Sequence, residues 1–112
     1  MQPRDRVRLK HMADAIDAAL RFAEDRDGRD LESDEMLRFA LIRAIEIVGE
    51  AGSKISGEGK AALPDLPWAA IVGMRNRLIH AYYDVDLDIL WSTVREALPN
   101  LRDRLPALPL DR

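Results

Sequence analysis

The apolar residues of this chain recur at helical intervals and fall into four blocks. Between Arg4 and about Arg26, the residues Val7, Met12, Ile16, Ala19, Leu20 and Ala23 keep to one side of a helix. The run DRDGRD around Gly28 has no apolar residue and predicts a loop. Ser33 or Asp34 then stands where a cap is needed, with Glu32 and Glu35 suited to the positive end of a second helix. Its seam, Leu37, Leu41, Ala44, Val48, Ala51 and Ile55, alternates steps of four and three. Phe39, Ile42, Ile45 and Ile47 widen that stripe and predict burial on more than one side. Gly49 interrupts it at an intrinsic cost of roughly 1 kcal/mol, which close packing of a neighbouring helix accounts for.

The stretch Ser56 to Pro67 carries two Gly and two Pro and predicts a connection. Pro67 suits the first turn of a third helix, where its missing N–H is no loss. That helix is expected to run through Trp68, Ile71, Val72 and Met74 to about His80 or Tyr82. Asp84 or Asp86 caps a fourth, whose inner face is Leu87, Leu90, Trp91, Val94 and Leu98. Pro99 should kink or restart it, Leu101 and Leu105 prolong its stripe, and Pro106 and Pro109 end it. No stretch predicts a sheet. The expected fold is all-α: one domain, residues 1–112, an antiparallel four-helix bundle with a short C-terminal helical extension.

Composition narrows the chemistry. Seventeen basic against twenty acidic residues leave a net charge of −3, which argues against a broad basic surface for duplex DNA. With no Cys there is neither a disulfide framework nor a thiolate metal site. The opening MQPRDRVRLKHMADAID spreads charge through every turn, unlike a signal peptide or a membrane span, so a cytoplasmic location is expected.

One segment departs from the acidic background. Leu66 to Tyr83 holds no carboxylate, yet it contains Arg75, Arg77 and His80. At about 100° per residue, a continuous helix places Arg75, Ile79 and Tyr82 on one stripe and Asn76, His80 and Tyr83 on the next. Arg75 and His80 then point about 140° apart. To share a site they need Arg75 to bend round, the helix end to loosen, or a second copy of the chain across a twofold axis; the last is the favoured expectation. His can take and return a proton near neutral pH, and Arg presents a fork matched to phosphate oxygens. Together they meet the needs of RNA cleavage without a metal: proton removal from a ribose 2′-OH, charge neutralisation on phosphorus, and protonation of the leaving oxygen. Asn76 can hold the imidazole or bind a phosphate oxygen. A lone Arg and His on a helix are more often ion-pairing positions than a catalytic pair.

The order of residues carries more than their types. Arg75-Asn76-Arg77-Leu78-Ile79-His80-Ala81-Tyr82 resembles the Arg-x4-His-x-Tyr motif of HepT-like toxins, small α-helical ribonucleases of the HEPN superfamily. DRVRLKHMADAID, AIEIVGEA, LPWAAIVGMRNRLIHAYYDVD and LDILWSTVREALPNLRDRL resemble that family in the same order, so the likeness spans nearly the whole chain. It implies an endoribonuclease toxin of a type VII-like HepT/MntA toxin–antitoxin system, acting as a homodimer or a larger assembly with its antitoxin. It also implies a metal-independent reaction, no cofactor, and an MntA-type nucleotidyltransferase partner that silences the toxin by AMP transfer to Tyr82. Carried over residue by residue, Arg75 and His80 are catalytic, Asn76 supports them, and Tyr82 is modified.

Other polar residues are assigned more plainly. His11 belongs to a solvated face, and no His-x3-His or His-Glu-x-x-His spacing proposes a metal site. Asp84, Asp86 and Asp88 lack the Gly and distal Glu of a calcium loop. Glu46 and Glu50 lie one turn apart in a largely apolar helix, where Glu50 calls for a partner such as Arg75 or Arg77. Trp68 and Trp91 are core or interface anchors. The alternative to the ribonuclease is a non-cleaving binding module that docks a nucleotidyltransferase or presents its substrate.

Overall fold

The computed structural model describes residues 1–81 and 83–107. Its helices are α1 (Pro3–Phe22), α2 (Asp30–Ser33), α3 (Glu35–Ser53), α4 (Gly57–Ala62), α5 (Trp68–Val72) and α6 (Met74–Leu78). Two short strands follow, β1 (Ile79–Ala81) and β2 (Asp84–Val85), and then α7 (Leu87–Ser92), a π-helical turn (Thr93–Ala97) and α8 (Leu98–Arg104). The fold class is all-α, as the periodicity predicts. α1 lies along α3, α5 and α6 cover another part of α3, and the π turn with α8 returns to α1. Leu9, Met12 and Ile16 of α1 meet in the core with Leu41, Ile45 and Val48 of α3 and with Leu90, Val94 and Leu98 of the last rod, all shut off from solvent.

Local chemistry sets the helix starts. Of the two caps expected for α3, Asp34 serves: its carboxylate accepts from Leu37 N–H at 3.0 Å. Arg26 donates to the same carboxylate at 2.7 Å, and these two bonds hold Asp34 below the usual carboxylate range, Arg26 first. Asp86 caps α7 by accepting from Ile89 N–H at 3.0 Å. α5 packs closely on α3 at Gly49, where a Cβ would stand 3.4 Å from the Ile71 carbonyl oxygen, an ordinary contact that does not require glycine.

Three expectations are corrected. The Ser56–Pro67 connection contains a helix of its own, α4, because Ser56 Oγ accepts from Gly59 N–H at 3.0 Å and caps it. The third helix is broken at Gly73 and stops at Leu78 rather than running to His80 or Tyr82. Ile79 to Ala81 instead pairs antiparallel with Asp84 and Val85, with Ile79 opposite Val85. Half-buried Ile79 and Ala81 flank exposed His80, an alternation of period two that a helix cannot satisfy. Asp86 N–H closes the ribbon onto the Leu78 carbonyl at 2.7 Å. The expectation of no sheet is therefore wrong at the residues that matter most.

At Pro99, where the sequence predicts a kink or restart, the fourth helix passes through a π-helical turn into α8. Proline has no N–H to give the Arg95 carbonyl, and in a regular α-helix its ring would crowd that carbonyl; here a π turn, Thr93–Ala97, stands just before it. Pro109 lies outside the described residues.

Candidate active site

Met74 and Leu78, one turn apart, are buried and seat α6 on the core. That leaves Arg75, Asn76 and Arg77 on the outer side of the same short helix, all exposed. His80 follows on β1, also exposed, while its neighbours Ile79 and Ala81 turn inward. Arg75, Asn76, Arg77 and His80 thus stand at a helix-to-strand junction facing solvent.

This junction alters the angular argument. The 140° divergence of Arg75 and His80, and the shared stripe of Arg75 and Tyr82, both assume a helix running through residues 79–81. Those residues are extended, with Ile79 at φ −111° and ψ 109°. The helix end is loosened, yet Ile79 and not His80 borders the depression beside Arg75, so the loosened end does not by itself bring the two side chains together. Tyr82 itself lies outside the described residues.

Arg75 is held from α3. Its Nε donates to Glu46 Oε2 at 2.8 Å. Arg43 stands 3.5 Å from the other oxygen of Glu46 and 3.3 Å from Glu50 Oε1. Glu50 is therefore paired with Arg43, not with Arg75 or Arg77, and the carboxylate that meets Arg75 is Glu46. Positions 43, 46 and 50 follow the i, i+3, i+7 spacing of one helical stripe, a pattern visible in the sequence; that α6 crosses this stripe is not.

The two arginines of α6 serve different surfaces. Arg75 borders a depression of about 610 Å³ between α3 and the ribbon, with Phe39, Ile42, Glu46, Ile79 and Tyr83 around it. Arg77 borders a groove of about 590 Å³ between α5–α6 and the last rod, with Met74, Thr93, Asn100 and Arg104. Phe39 and Tyr83 are 61% and 79% exposed beside Arg75, unusual for rings of that size.

The remaining candidates are structural. Trp68 donates its indole N–H to the Leu63 carbonyl at 3.0 Å. Trp91 packs against Gly28 and lies under the Arg95 guanidinium, 5.6 Å from the ring centre. His11 is exposed on α1. Among the described residues no group of three or more His, Asp or Glu side chains is placed to hold a metal ion, and no helix is long and apolar enough to cross a membrane.

Comparison with known proteins gives this geometry a context. The family model described as Ribonuclease HepT-like matches residues 12–108. The chain is 39% identical over 100 residues to the "Probable ribonuclease HepT" of Thermococcus cleftensis, covering 89% of this chain and 91% of the relative. It is also similar to two proteins whose names include RNase. One is from Methanocaldococcus jannaschii (35% identical, covering 84% of this chain and 86% of the relative). The other is from Caldanaerobacter subterraneus (30% identical, covering 87% of each). No solved structure matches the chain.

Proposed function

Because the chain belongs to the HepT-like ribonuclease family, we propose that it is an endoribonuclease whose reacting groups are Arg75 and His80. The observation that carries this reading is the exposure of both side chains at one helix-to-strand junction, five residues apart, with Arg75 oriented from a second helix. His80 takes the proton from a ribose 2′-OH as that oxygen attacks the adjacent phosphorus. The terminal nitrogens of Arg75 pair with the non-bridging oxygens as charge builds there, and a His returns a proton to the departing 5′-oxygen. The bond to the 5′-oxygen breaks and a 2′,3′-cyclic phosphate remains, so the chemistry asks for no metal. Asn76, exposed between the two, supports the phosphate or the imidazole.

The same reading extends to control. The enzyme works as a homodimeric toxin, and an MntA-type nucleotidyltransferase antitoxin silences it by transferring AMP from ATP to the Tyr82 hydroxyl, which loses its proton as the bond between the α- and β-phosphates breaks and pyrophosphate leaves. The added phosphodiester competes for the cations that hold RNA.

The experiment is cleavage of a single-stranded RNA by the purified protein in EDTA. Cutting is expected, is expected to vanish when the nucleotide 5′ to the cut is 2′-deoxy, and is expected to fall steeply in Arg75→Ala. An RNA left whole by the wild-type protein, while it still binds a nucleotidyltransferase, points to the non-cleaving binding module instead.

A further inference from the structure

We infer that Glu46 is a positioning residue for Arg75, an inference that rests on the ribonuclease reading above. Glu46 belongs to α3 and is separated from Arg75 by 29 residues, yet its Oε2 accepts from Arg75 Nε at 2.8 Å. The bond is made to Nε, the inner nitrogen of the guanidinium. The two terminal nitrogens, the pair that fits the two oxygens of a phosphate, have no bond to Glu46.

Geometry explains why such a brace is needed. Arg75 rises from a helix of five residues that ends three positions later, and its side chain is 46% exposed. A long side chain on so short and open a platform samples many rotamers, and ordering it for one transition state costs free energy at the moment of reaction. Glu46 is set on the nineteen-residue α3, whose Ala44, Ile45 and Val48 are buried around it, and its side chain is only 25% exposed. It is a firmer platform than α6 itself. Arg43 stands 3.5 Å from Oε1 of the same carboxylate and 3.3 Å from Glu50. Two arginines thus share Glu46, so its negative charge is not directed at Arg75 alone. The brace orients the cation without neutralising it one to one.

Glu46 acts through Arg75 and not on RNA, which fixes its signature. Glu46→Ala should lower kcat by roughly 10²-fold, with KM changed far less, as expected for a group that improves only transition-state contacts. Glu46→Gln keeps an oxygen able to accept from Nε and should recover most of the rate. Because the pair is partly exposed, the melting temperature of both variants should stay close to wild type.

The test is single-turnover and steady-state cleavage of one short RNA by the full-length protein and its Glu46→Ala, Glu46→Gln and Arg75→Ala variants, with thermal melts alongside. A kcat loss in Glu46→Ala, restored in Glu46→Gln at unchanged melting temperature, supports the positioning role. Wild-type kcat in Glu46→Ala while Arg75→Ala is inactive overturns it and leaves the ribonuclease reading standing. A faster Glu46→Ala also overturns it, by showing that Glu46 competes with phosphate for the cation. Full cleavage by Arg75→Ala removes Arg75 from the reaction and overturns the positioning role with it, whereas an RNA left whole by the wild-type protein overturns the ribonuclease reading itself.

Discussion

Asp5 and Ser56 are 51 residues apart in the chain and joined by two hydrogen bonds, the Ser56 N–H to Oδ1 at 2.9 Å and its hydroxyl to Oδ2 at 2.6 Å. Asp5 is a fully buried carboxylate, and these bonds are what make its burial tolerable. They tie the first turn of α1 to the start of α4. Asp5→Ala leaves the Ser56 donors facing a void and should destabilise the fold by about 1–3 kcal/mol, measured by urea unfolding.

The same pair predicts a pH dependence. The Ser56 hydroxyl, and after it the Ser56 N–H, hold the Asp5 carboxyl below its ordinary value, against the opposing effect of burial. A group whose folded pKa is depressed adds stability above its unfolded value, about 3.9. That stability is lost as pH falls through the lower folded value. Melting temperatures from pH 6 down to about pH 2 should show Asp5→Asn closing on wild type as acid is added. A gap that stays constant across that range contradicts the assignment.

Gly59 is fixed by this pin. A Cβ there would stand 2.6 Å from Asp5 Oδ2 and 2.9 Å from Ile55 Cγ2, so Gly59→Ala must push the carboxylate aside. Alanine's helix preference, about 1 kcal/mol over glycine, works the other way. The clash should outweigh it, because it is with a buried charged group that has nowhere to go. Calorimetry should find Gly59→Ala less stable than wild type.

The helices were legible because burial repeats at their own period. Leu37, Leu41, Ala44 and Val48 face the core as their spacing says, and the caps Asp34 and Asp86 were among the residues named for those positions. The candidate site was legible as a motif but not as geometry. Three residues, Ile79 to Ala81, are too few for a strand's alternation to stand out against the helical pattern before them, and pairing with Val85 decides the matter. Glu46 and Glu50 both stand out as carboxylates in a largely apolar helix, but the expectation of an arginine partner from the third helix falls on Glu50. Which of the two meets Arg75 depends on where α6 crosses α3, and that is set by tertiary packing.

Whether one chain or two supply each site can be decided by mixing inactive variants. Phe39, 61% exposed at the Arg75 depression, and Met36, 80% exposed three residues before it on α3, are apolar surface that a dimer contact would bury. If Arg75 of one subunit works with His80 of the other, Arg75→Ala and Arg75-intact His80→Ala proteins, refolded together, should regain up to about half the activity of wild type in their mixed dimers. If each chain holds its own pair, the mixture stays as inactive as its parents.

Tyr82→Phe should retain cleavage while resisting silencing by a co-expressed nucleotidyltransferase, because the ring is kept and the acceptor oxygen is lost. Intact-mass spectrometry of the co-expressed wild-type protein should show the added nucleotide and Tyr82→Phe should not. A silenced complex of unmodified mass would mean that the antitoxin blocks the site by occupying it.

The measurement that bears most directly on the Arg75–His80 pair is the chemistry of the cut ends. A short single-stranded RNA is incubated in EDTA with wild type or His80→Ala, and the products are weighed by mass spectrometry. Wild type should yield a 2′,3′-cyclic phosphate, and His80→Ala should slow its appearance by roughly 10²–10⁴-fold, the usual worth of general acid–base catalysis. Fragments ending in a free 3′-hydroxyl, or a cyclic phosphate formed at the wild-type rate without His80, would contradict the mechanism.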